Sequence, residues 1–264
     1  MPIKYITEHG VDAVQVDLFE QNSNPYGYIV FSGLKAESLK IMGKKNIIQI
    51  PDPFSYVVNE SFKPWIPQVS LSEKRDPSKL LFFYAHSTDS VVDLRDREEY
   101  LNVIKEYSKS YELTVCIHFC DVKRGVGKYL DSENIAWTYV PEYPRSDFPY
   151  RFFSMVDGFG KAASTLPGSY LYYCSYVGID FELVRLPPML ENRSDSAQTH
   201  DFVGFFDEYP NSTAYDLFSI DAAEPASKLE QREFILELLG YSGDVTDGPS
   251  VSKIIRSALR GSLL

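Results

Sequence analysis

The strongest constraint on the fold is the regular alternation of short apolar runs with longer amphipathic segments, which is clearest from residue 79 onward. The runs "LLFF" and "LTVCIHF" are almost continuously apolar, as expected of strands that are covered on both faces. Segments with helical spacing separate these runs. This alternation is typical of βαβ units, and it predicts an α/β fold with a Rossmann-like parallel sheet flanked by helices.

The predicted elements divide the chain into four parts. We expect a reduced N-terminal α/β portion over 1–60, a linker with three prolines over 61–78, a Rossmann-like domain over 79–224 and C-terminal helices over 225–264. Strands are predicted at 26–32, 46–50, 79–85, 113–119, 135–140, 162–165 and 180–185. Helices are predicted at 33–43, 95–109, 148–162, 168–177, 227–240 and 250–259, with Gly43 and Gly240 as helix ends.

Charge and composition exclude several classes of function. The 264 residues carry a net charge of −11, which argues against binding to nucleic acid and allows at most peripheral contact with a membrane. The N-terminus lacks the apolar core of a signal peptide, and no run reaches the roughly 18 apolar residues of a spanning helix. Three cysteines fit a reducing compartment. We therefore expect a cytoplasmic protein.

Three loops follow predicted strands and are the expected places for a ligand. In open α/β sheets, ligands bind beyond the carboxyl ends of the strands. The first loop carries the hydroxyls and imidazole of "YAHSTDS" (84–90), the second begins at Cys120 and Asp121, and the third is "STLPGS" (164–169).

The third loop has the composition of a phosphate-binding turn. Ser164 and Thr165 supply hydroxyls, Gly168 allows close approach of a ligand to the backbone, and Ser169 can cap the following helix. The free N–H groups and dipole of a helix N-terminus favour an anion. The same stretch also fits an ordinary capped helix without a ligand.

Other signals favour structural roles. Cys116, His118 and Cys120 alternate as if on one face of a strand, and burial explains them better than zinc binding. The stretches "GVGK" (125–128) and "GFGK" (158–161) do not fit a P-loop, and the second falls in a predicted helix. The tyrosines between 170 and 176 fit core packing, or one ring could stack on a base or sugar. We expect neither a metal ion nor a cofactor.

The ordered set of motifs resembles the GT-B glycosyltransferases of bacterial capsule and lipopolysaccharide synthesis. The donor-binding region of these enzymes is similar to the pattern S-T-x-x-G-S-x-x-x-Y-x-x-Y-x-G-I-D-F, which spans 164–181 here. The segments "YGYIVFSGLKAESLKIMGKKNIIQIPDPF", "LLFFYAHSTDS", "LTVCIHFCDV" and "SKLEQREFILELLG" resemble further parts of the same fold. Only about 60 residues precede the predicted linker, so the resemblance implies either a strongly reduced N-terminal domain or a chain that is a fragment, and a separate N-terminal domain could be supplied by a partner.

The resemblance implies a role for each candidate residue. A nucleotide-sugar donor would be bound by residues of all three loops, with His86 donating to a phosphate: His86, Ser87, Thr88, Lys123, Arg124, Ser164, Thr165, Gly168 and Ser169. A general base would come from the N-terminal portion, where Glu8, His9 and Asp12 are the nearest candidates. The chain lacks the paired-glutamate signature of the common retaining families, which favours inversion.

Two functions follow from the resemblance. The first is a metal-independent glycosyltransferase that moves a sugar from a nucleotide-sugar donor to a glycan or lipid-linked glycan acceptor. The second is a catalytically silent GT-B-like module that binds a nucleotide or sugar, or acts as a partner subunit. Self-association is compatible with both functions.

Overall fold

The chain forms two compact units. In this computed structural model the first unit comprises Met1–Gln68 with Ser227–Leu264, and the second comprises Val69–Ala226. The boundary between Gln68 and Val69 falls inside the predicted linker, and the first unit is built from both ends of the chain. The structure describes residues 5–7, 22–84, 91–93, 95–139, 147–186, 190–192, 211–222, 224–241 and 249–253.

The elements alternate along the chain as the sequence predicts. The strands are β1 (Tyr5–Thr7), β2 (Gly27–Val30), β3 (Ile47–Gln49), β4 (Asp76–Phe83), β5 (Val91–Asp93), β6 (Glu112–Ile117), β7 (Trp137–Tyr139), β8 (Phe159–Ser164), β9 (Asp180–Leu183) and β10 (Leu190–Asn192). The helices are α1 (Gly33–Ile41), α2 (Arg97–Ser108), α3 (Phe119–Lys123), α4 (Val126–Ser132), α5 (Phe148–Val156), α6 (Ser169–Tyr176), α7 (Asn211–Phe218) and α8 (Lys228–Leu238), with 3-10 helices at Pro53–Val58 and Glu60–Phe62.

The second unit is organised around a five-stranded parallel sheet in the order β7-β6-β4-β8-β9. In the register of the sheet, Phe82 of β4 lies opposite Val115 of β6 and Ala163 of β8. All three side chains have 0% exposure, as the continuous apolar runs require. The predicted α/β class, with a parallel sheet and helices between its strands, is confirmed.

Helix α2 shows why the amphipathic segments fold as they do. Its N-cap Asp96 accepts a hydrogen bond from the backbone N–H of Glu98 at 3.0 Å, which satisfies one of the free donors of the first turn. Tyr100, Leu101 and Ile104 have helical spacing and are all buried. Burial of an apolar side chain of this size contributes about 1.5–3 kcal/mol, so the apolar stripe holds the helix in place.

The first unit has a three-stranded parallel sheet in the order β1-β2-β3. Helix α1 begins after Ser32, whose side chain accepts the N–H of Lys35, and its Leu39 packs with Tyr28 and Val30 of β2. The C-terminal segment joins this unit after α8, where the carbonyl of Leu239 accepts the N–H of Asp52 at 2.9 Å.

The boundary of β8 differs from the prediction. Helix α5 ends at Val156 and β8 runs from Phe159 to Ser164, so the predicted helix to 162 and strand at 162–165 were wrong. The stretch "GFGK" therefore lies mostly in a strand. Gly160 fits there because a Cβ at this position would lie 2.6 Å from the carbonyl oxygen of Asp76. The glycines hide the apolar alternation by which a strand is recognised.

The predicted common face of Cys116, His118 and Cys120 was also wrong. Strand β6 ends at Ile117, and Cys120 lies in α3. His118 is the N-cap of α3, and its Nδ1 accepts the N–H of Cys120 at 3.4 Å. The predicted burial of the cysteines is confirmed, since Cys116, Cys120 and Cys174 are all buried.

No helix in the described part of the chain is both long and apolar enough to cross a membrane.

Candidate functional site

The candidate site lies at the carboxyl edge of the parallel sheet in the second unit. Strands β4, β6 and β8 end there, and each is followed by one of the three predicted loops. Residues His86, Ser87 and Thr88 of the first loop lie outside the described residues, as do the proposed catalytic residues Glu8, His9 and Asp12. The geometry of the site is therefore built from the ends of β6, β8 and β9.

Ser164 shapes the turn after β8. The residue is fully buried, and its Oγ accepts the backbone N–H of Leu166 at 3.2 Å. The same Oγ lies 3.0 Å from the hydroxyl of Tyr170. The Ser164 hydroxyl thus has partners within the protein, and a ligand could use it only by displacing them.

Thr165 differs from Ser164 in the state of its hydroxyl. Its Oγ1 is buried and makes no hydrogen bond within the described part of the chain. Its carbonyl accepts a hydrogen bond from the hydroxyl of Tyr215, in α7, at 2.6 Å. A buried hydroxyl without a partner costs free energy, on the order of 1–3 kcal/mol.

Helix α6 begins at the carboxyl end of β8 with an uncapped first turn. Ser169 is its first residue rather than the expected cap, and the N-cap Gly168 makes no side-chain hydrogen bond. The backbone of Gly168 is extended, a conformation that any residue can adopt, so conformation does not require a glycine here. Space explains the glycine, because a Cβ there would lie 2.9 Å from Cε1 of Tyr170.

Tyr170 is a site residue that the sequence reasoning did not single out. Its ring stacks on Phe83 of β4 with centroids 4.7 Å apart and planes 6° from parallel. Its hydroxyl donates to the carbonyl of Leu166 at 2.7 Å. The ring therefore lies over Gly168 and holds the turn. The sequence offered only its place among several nearby tyrosines.

A small antiparallel ribbon joins the segments on either side of β8. Strand β5 follows β4, β10 follows β9, and the two pair antiparallel, with Val92 opposite Glu191. The ribbon thus links the segments that follow β4 and β9, the two neighbours of β8 in the sheet. Arg95, just after β5, fastens it through a hydrogen bond from Nη2 to the carbonyl of Leu186 at 2.8 Å.

Two arginines near this ribbon were not among the predicted site residues. The buried guanidinium of Arg95 lies 4.8 Å from the ring centroid of Tyr100. Arg185, which follows β9, is exposed, and its guanidinium lies 5.7 Å from the ring centroid of Tyr215. Burial raises the pKa of Tyr215, and the charges of Arg95 and Arg185 oppose that shift. Both cations therefore act on the same phenol.

Lys123 and Arg124 lie beyond the end of β6. The ammonium of Lys123 is 4.8 Å from the ring centroid of Phe119, and the carbonyl of Arg124 accepts a hydrogen bond from Nη2 of Arg97 at 3.2 Å. Strand β4 separates β6 from β8, so the ends of these strands are on the order of 10 Å apart. Lys123 and Arg124 therefore lie two strands away from the turn after β8 in the order of the sheet.

Among the described residues, no group of three or more His, Cys, Asp or Glu side chains could hold a metal ion.

No protein-family profile matches this chain, and no curated protein matches it. Among solved structures it is similar to a UDP-GlcNAc 2-epimerase from Neisseria meningitidis, whose crystal structure contains bound UDP-GlcNAc. The TM-score is 0.44 and the sequence identity is 12%. The match covers 89% of this chain and 62% of the epimerase chain, so this chain spans less than two thirds of that structure. A likeness of this degree assigns neither an activity nor a ligand.

Proposed function

We propose that the protein binds a nucleotide-sugar donor at the carboxyl edge of the sheet in its second unit. The observation that carries this proposal is the uncapped N-terminus of α6, directly after a buried parallel strand. The N–H groups of such a helix end, together with its dipole, favour a phosphate. Gly168 and Ser169 supply the backbone at this position.

We further propose that the protein is a glycosyltransferase acting on a glycan or lipid-linked glycan acceptor in the synthesis of surface polysaccharide. The motif over 164–181 and the order of the surrounding segments support this activity through their resemblance to GT-B enzymes. Inversion without a metal ion, and a base among Glu8, His9 and Asp12, are parts of the same proposal. We place the protein in the cytoplasm, where nucleotide sugars are made.

A binding module without catalysis is the second candidate. The contacts of Ser164 favour it, because this buried hydroxyl is already hydrogen-bonded within the turn. A nucleotide could still bind at the helix end while the geometry for sugar transfer is absent.

Calorimetric titration with UDP, GDP, CMP and TDP, and with their sugar derivatives, tests donor binding. We expect one of these nucleotides to bind to the intact chain. Ser169→Ala and His86→Ala should each weaken that binding and leave the melting temperature nearly unchanged. If no nucleotide binds, the proposed donor site is wrong. If a donor binds but no sugar is released or transferred to any acceptor, the module without catalysis is the better description.

A further inference from the structure

Arg185 is a cation without an acidic partner in the described part of the chain. It lies two residues after the end of β9 at Leu183, and its side chain is exposed. Its guanidinium faces the ring of Tyr215 at 5.7 Å. A guanidinium over an aromatic face keeps its N–H donors in the plane of the fork and available to an anion.

The ring that supports Arg185 is held firmly. Tyr215 is 3% exposed, and its hydroxyl donates to the carbonyl of Thr165 at 2.6 Å. Thr165 directly follows β8, three residues before the N-cap of α6. Tyr215 therefore ties the position of Arg185 to the same turn that presents the uncapped helix.

A second observation at this turn indicates a missing partner. The Thr165 hydroxyl is buried and makes no hydrogen bond within the described residues. Such a group is usually satisfied in a native protein, by protein, water or ligand. This hydroxyl belongs to the residue whose carbonyl accepts from Tyr215, and the ring of Tyr215 lies against Arg185.

We propose that Arg185 is a phosphate-binding residue for a nucleoside diphosphate group, and that Tyr215 positions it. A guanidinium can donate two parallel hydrogen bonds to one phosphate, which gives both affinity and orientation. The inference rests on the proposed function for the nucleoside part of the ligand. The phosphate part stands on the geometry of Arg185, Tyr215 and Thr165.

The test compares Arg185→Gln with Arg151→Gln by calorimetry on the full chain. Arg151 is also an exposed arginine of the second unit, and it is neutralised by an ion pair with Asp147 at 2.6 Å. The probes are UDP, GDP, CDP and TDP, the corresponding nucleosides, and inorganic pyrophosphate. Arg185→Lys keeps the charge and removes the fork.

We expect Arg185→Gln to weaken binding of the preferred diphosphate and of pyrophosphate at least tenfold. Binding of the nucleoside should be unchanged, and Arg151→Gln should stay within twofold of the wild type for every probe. The affinity of Arg185→Lys for the diphosphate and for pyrophosphate should lie between the affinities of the wild type and of Arg185→Gln. Unchanged melting temperatures would show that the variants are folded.

The outcomes separate this inference from the proposed function. Equal binding of a diphosphate to the wild type and to Arg185→Gln overturns the inference and leaves the proposed function standing. Arg185-dependent binding of pyrophosphate without any binding of nucleotides supports the anion site and overturns the proposed function. If the wild type binds neither nucleotides nor pyrophosphate, both are wrong.

Discussion

At the scale of single residues, the turn after β8 shows that a motif can be located correctly and still be explained wrongly. The small residues of "STLPGS" are expected to leave room for a ligand. In the structure, Ser164 binds the turn itself, and Gly168 makes room for the ring of Tyr170. Whether a ligand also approaches Gly168 remains a prediction.

The fit of Tyr170 over Gly168 can be tested by adding one methyl group. Gly168→Ala should lower the free energy of unfolding by about 1–3 kcal/mol, because the new Cβ meets a ring held by stacking and by two hydroxyl contacts. Gly158→Ala is the matched control, since a Cβ there has no neighbour within 4 Å. Chemical denaturation gives both values. Equal effects in the two variants would contradict this account of Gly168.

The arginines of the candidate site could not be found from the sequence. Arg95 and Arg185 are 90 residues apart, and neither belongs to a recognisable motif. They come together because strands β4 and β9 flank β8, which is a property of strand order. Local patterns predict the strands but leave their order open, so long-range contacts of this kind are missed.

At the scale of secondary-structure elements, a half-buried polar network joins β8, β9 and α2. Lys161 of β8 forms an ion pair with Glu182 of β9 and lies 3.2 Å from the hydroxyl of Tyr111. Tyr107 of α2 donates to the other oxygen of Glu182 at 3.2 Å. Burial alone would lower the pKa of Lys161, but its hydrogen bonds with Glu182 and Tyr111 raise it above the ordinary value.

Glu182→Gln should destabilise the second unit by about 1–3 kcal/mol, because it leaves a half-buried ammonium without its counter-charge. The control is Glu112→Gln, which removes an exposed pair with Lys79 at 3.6 Å and should cost less than about 1 kcal/mol. Denaturant titration at neutral pH measures both. Since the pKa of Lys161 is raised, the stabilisation by its ion pair with Glu182 is fully present at neutral pH. It is lost only as the pH rises through the raised pKa. A smaller loss for Glu182→Gln than for its control would contradict the prediction.

Helix α8 begins with a capping box that should make its stability depend on pH. The Ser227 hydroxyl accepts the N–H of Glu230, and the Glu230 carboxylate accepts from the hydroxyl and N–H of Ser227. These hydrogen bonds lower the pKa of Glu230 from 4.5. The stabilisation is therefore present above that value and is lost as the pH falls through the lowered pKa.

The difference in melting temperature between wild type and Glu230→Ala should be largest near neutral pH and should shrink as the pH falls through the lowered pKa of Glu230. Glu233→Ala is the control, an exposed glutamate of the same helix outside the capping box. Ser227→Ala should cost about 1 kcal/mol at neutral pH. A difference for Glu230→Ala that does not change with pH would exclude the carboxylate as the capping group.

At the scale of the whole molecule, the first unit depends on both ends of the chain. Gly240 directly follows Leu239, the C-cap of α8, and has a φ of +75°. The predicted helix stop at this glycine is therefore confirmed. A Cβ at Gly240 would lie 2.4 Å from the carbonyl oxygen of Phe31 and 2.9 Å from that of Ile50. The C-terminal segment therefore packs directly against the backbone that follows β2 and β3.

Comparison of Gly240→Ala with Gly43→Ala separates this packing from backbone strain. Gly43 has a φ of +76° and no neighbour within 4 Å of a Cβ, so its substitution should cost about 1–2 kcal/mol from conformation alone. Gly240→Ala adds a clash with backbone atoms and should cost clearly more. Equilibrium unfolding of both variants measures the difference, and equal costs would show that the segments separate easily.

The fold was predictable to the extent that buried strands produce continuous apolar runs. The α/β class and the helix stop at Gly240 follow from local patterns. The start of β8 was missed because Gly158 and Gly160 interrupt its pattern, and Cys120 was misplaced because apolar residues continue from β6 into α3. The contacts of Ser164 and Tyr170 depend on packing between strands, which no local pattern encodes.

The full burial of Thr165 has a kinetic consequence. Because this residue is fully buried, a ligand can contact its hydroxyl only after the structure around the turn has opened. The observed rate constant of association should then level off as ligand concentration rises, at the rate of opening, instead of increasing in proportion. The rate of binding to this hydroxyl would then be set by the opening of the protein and not by the ligand concentration.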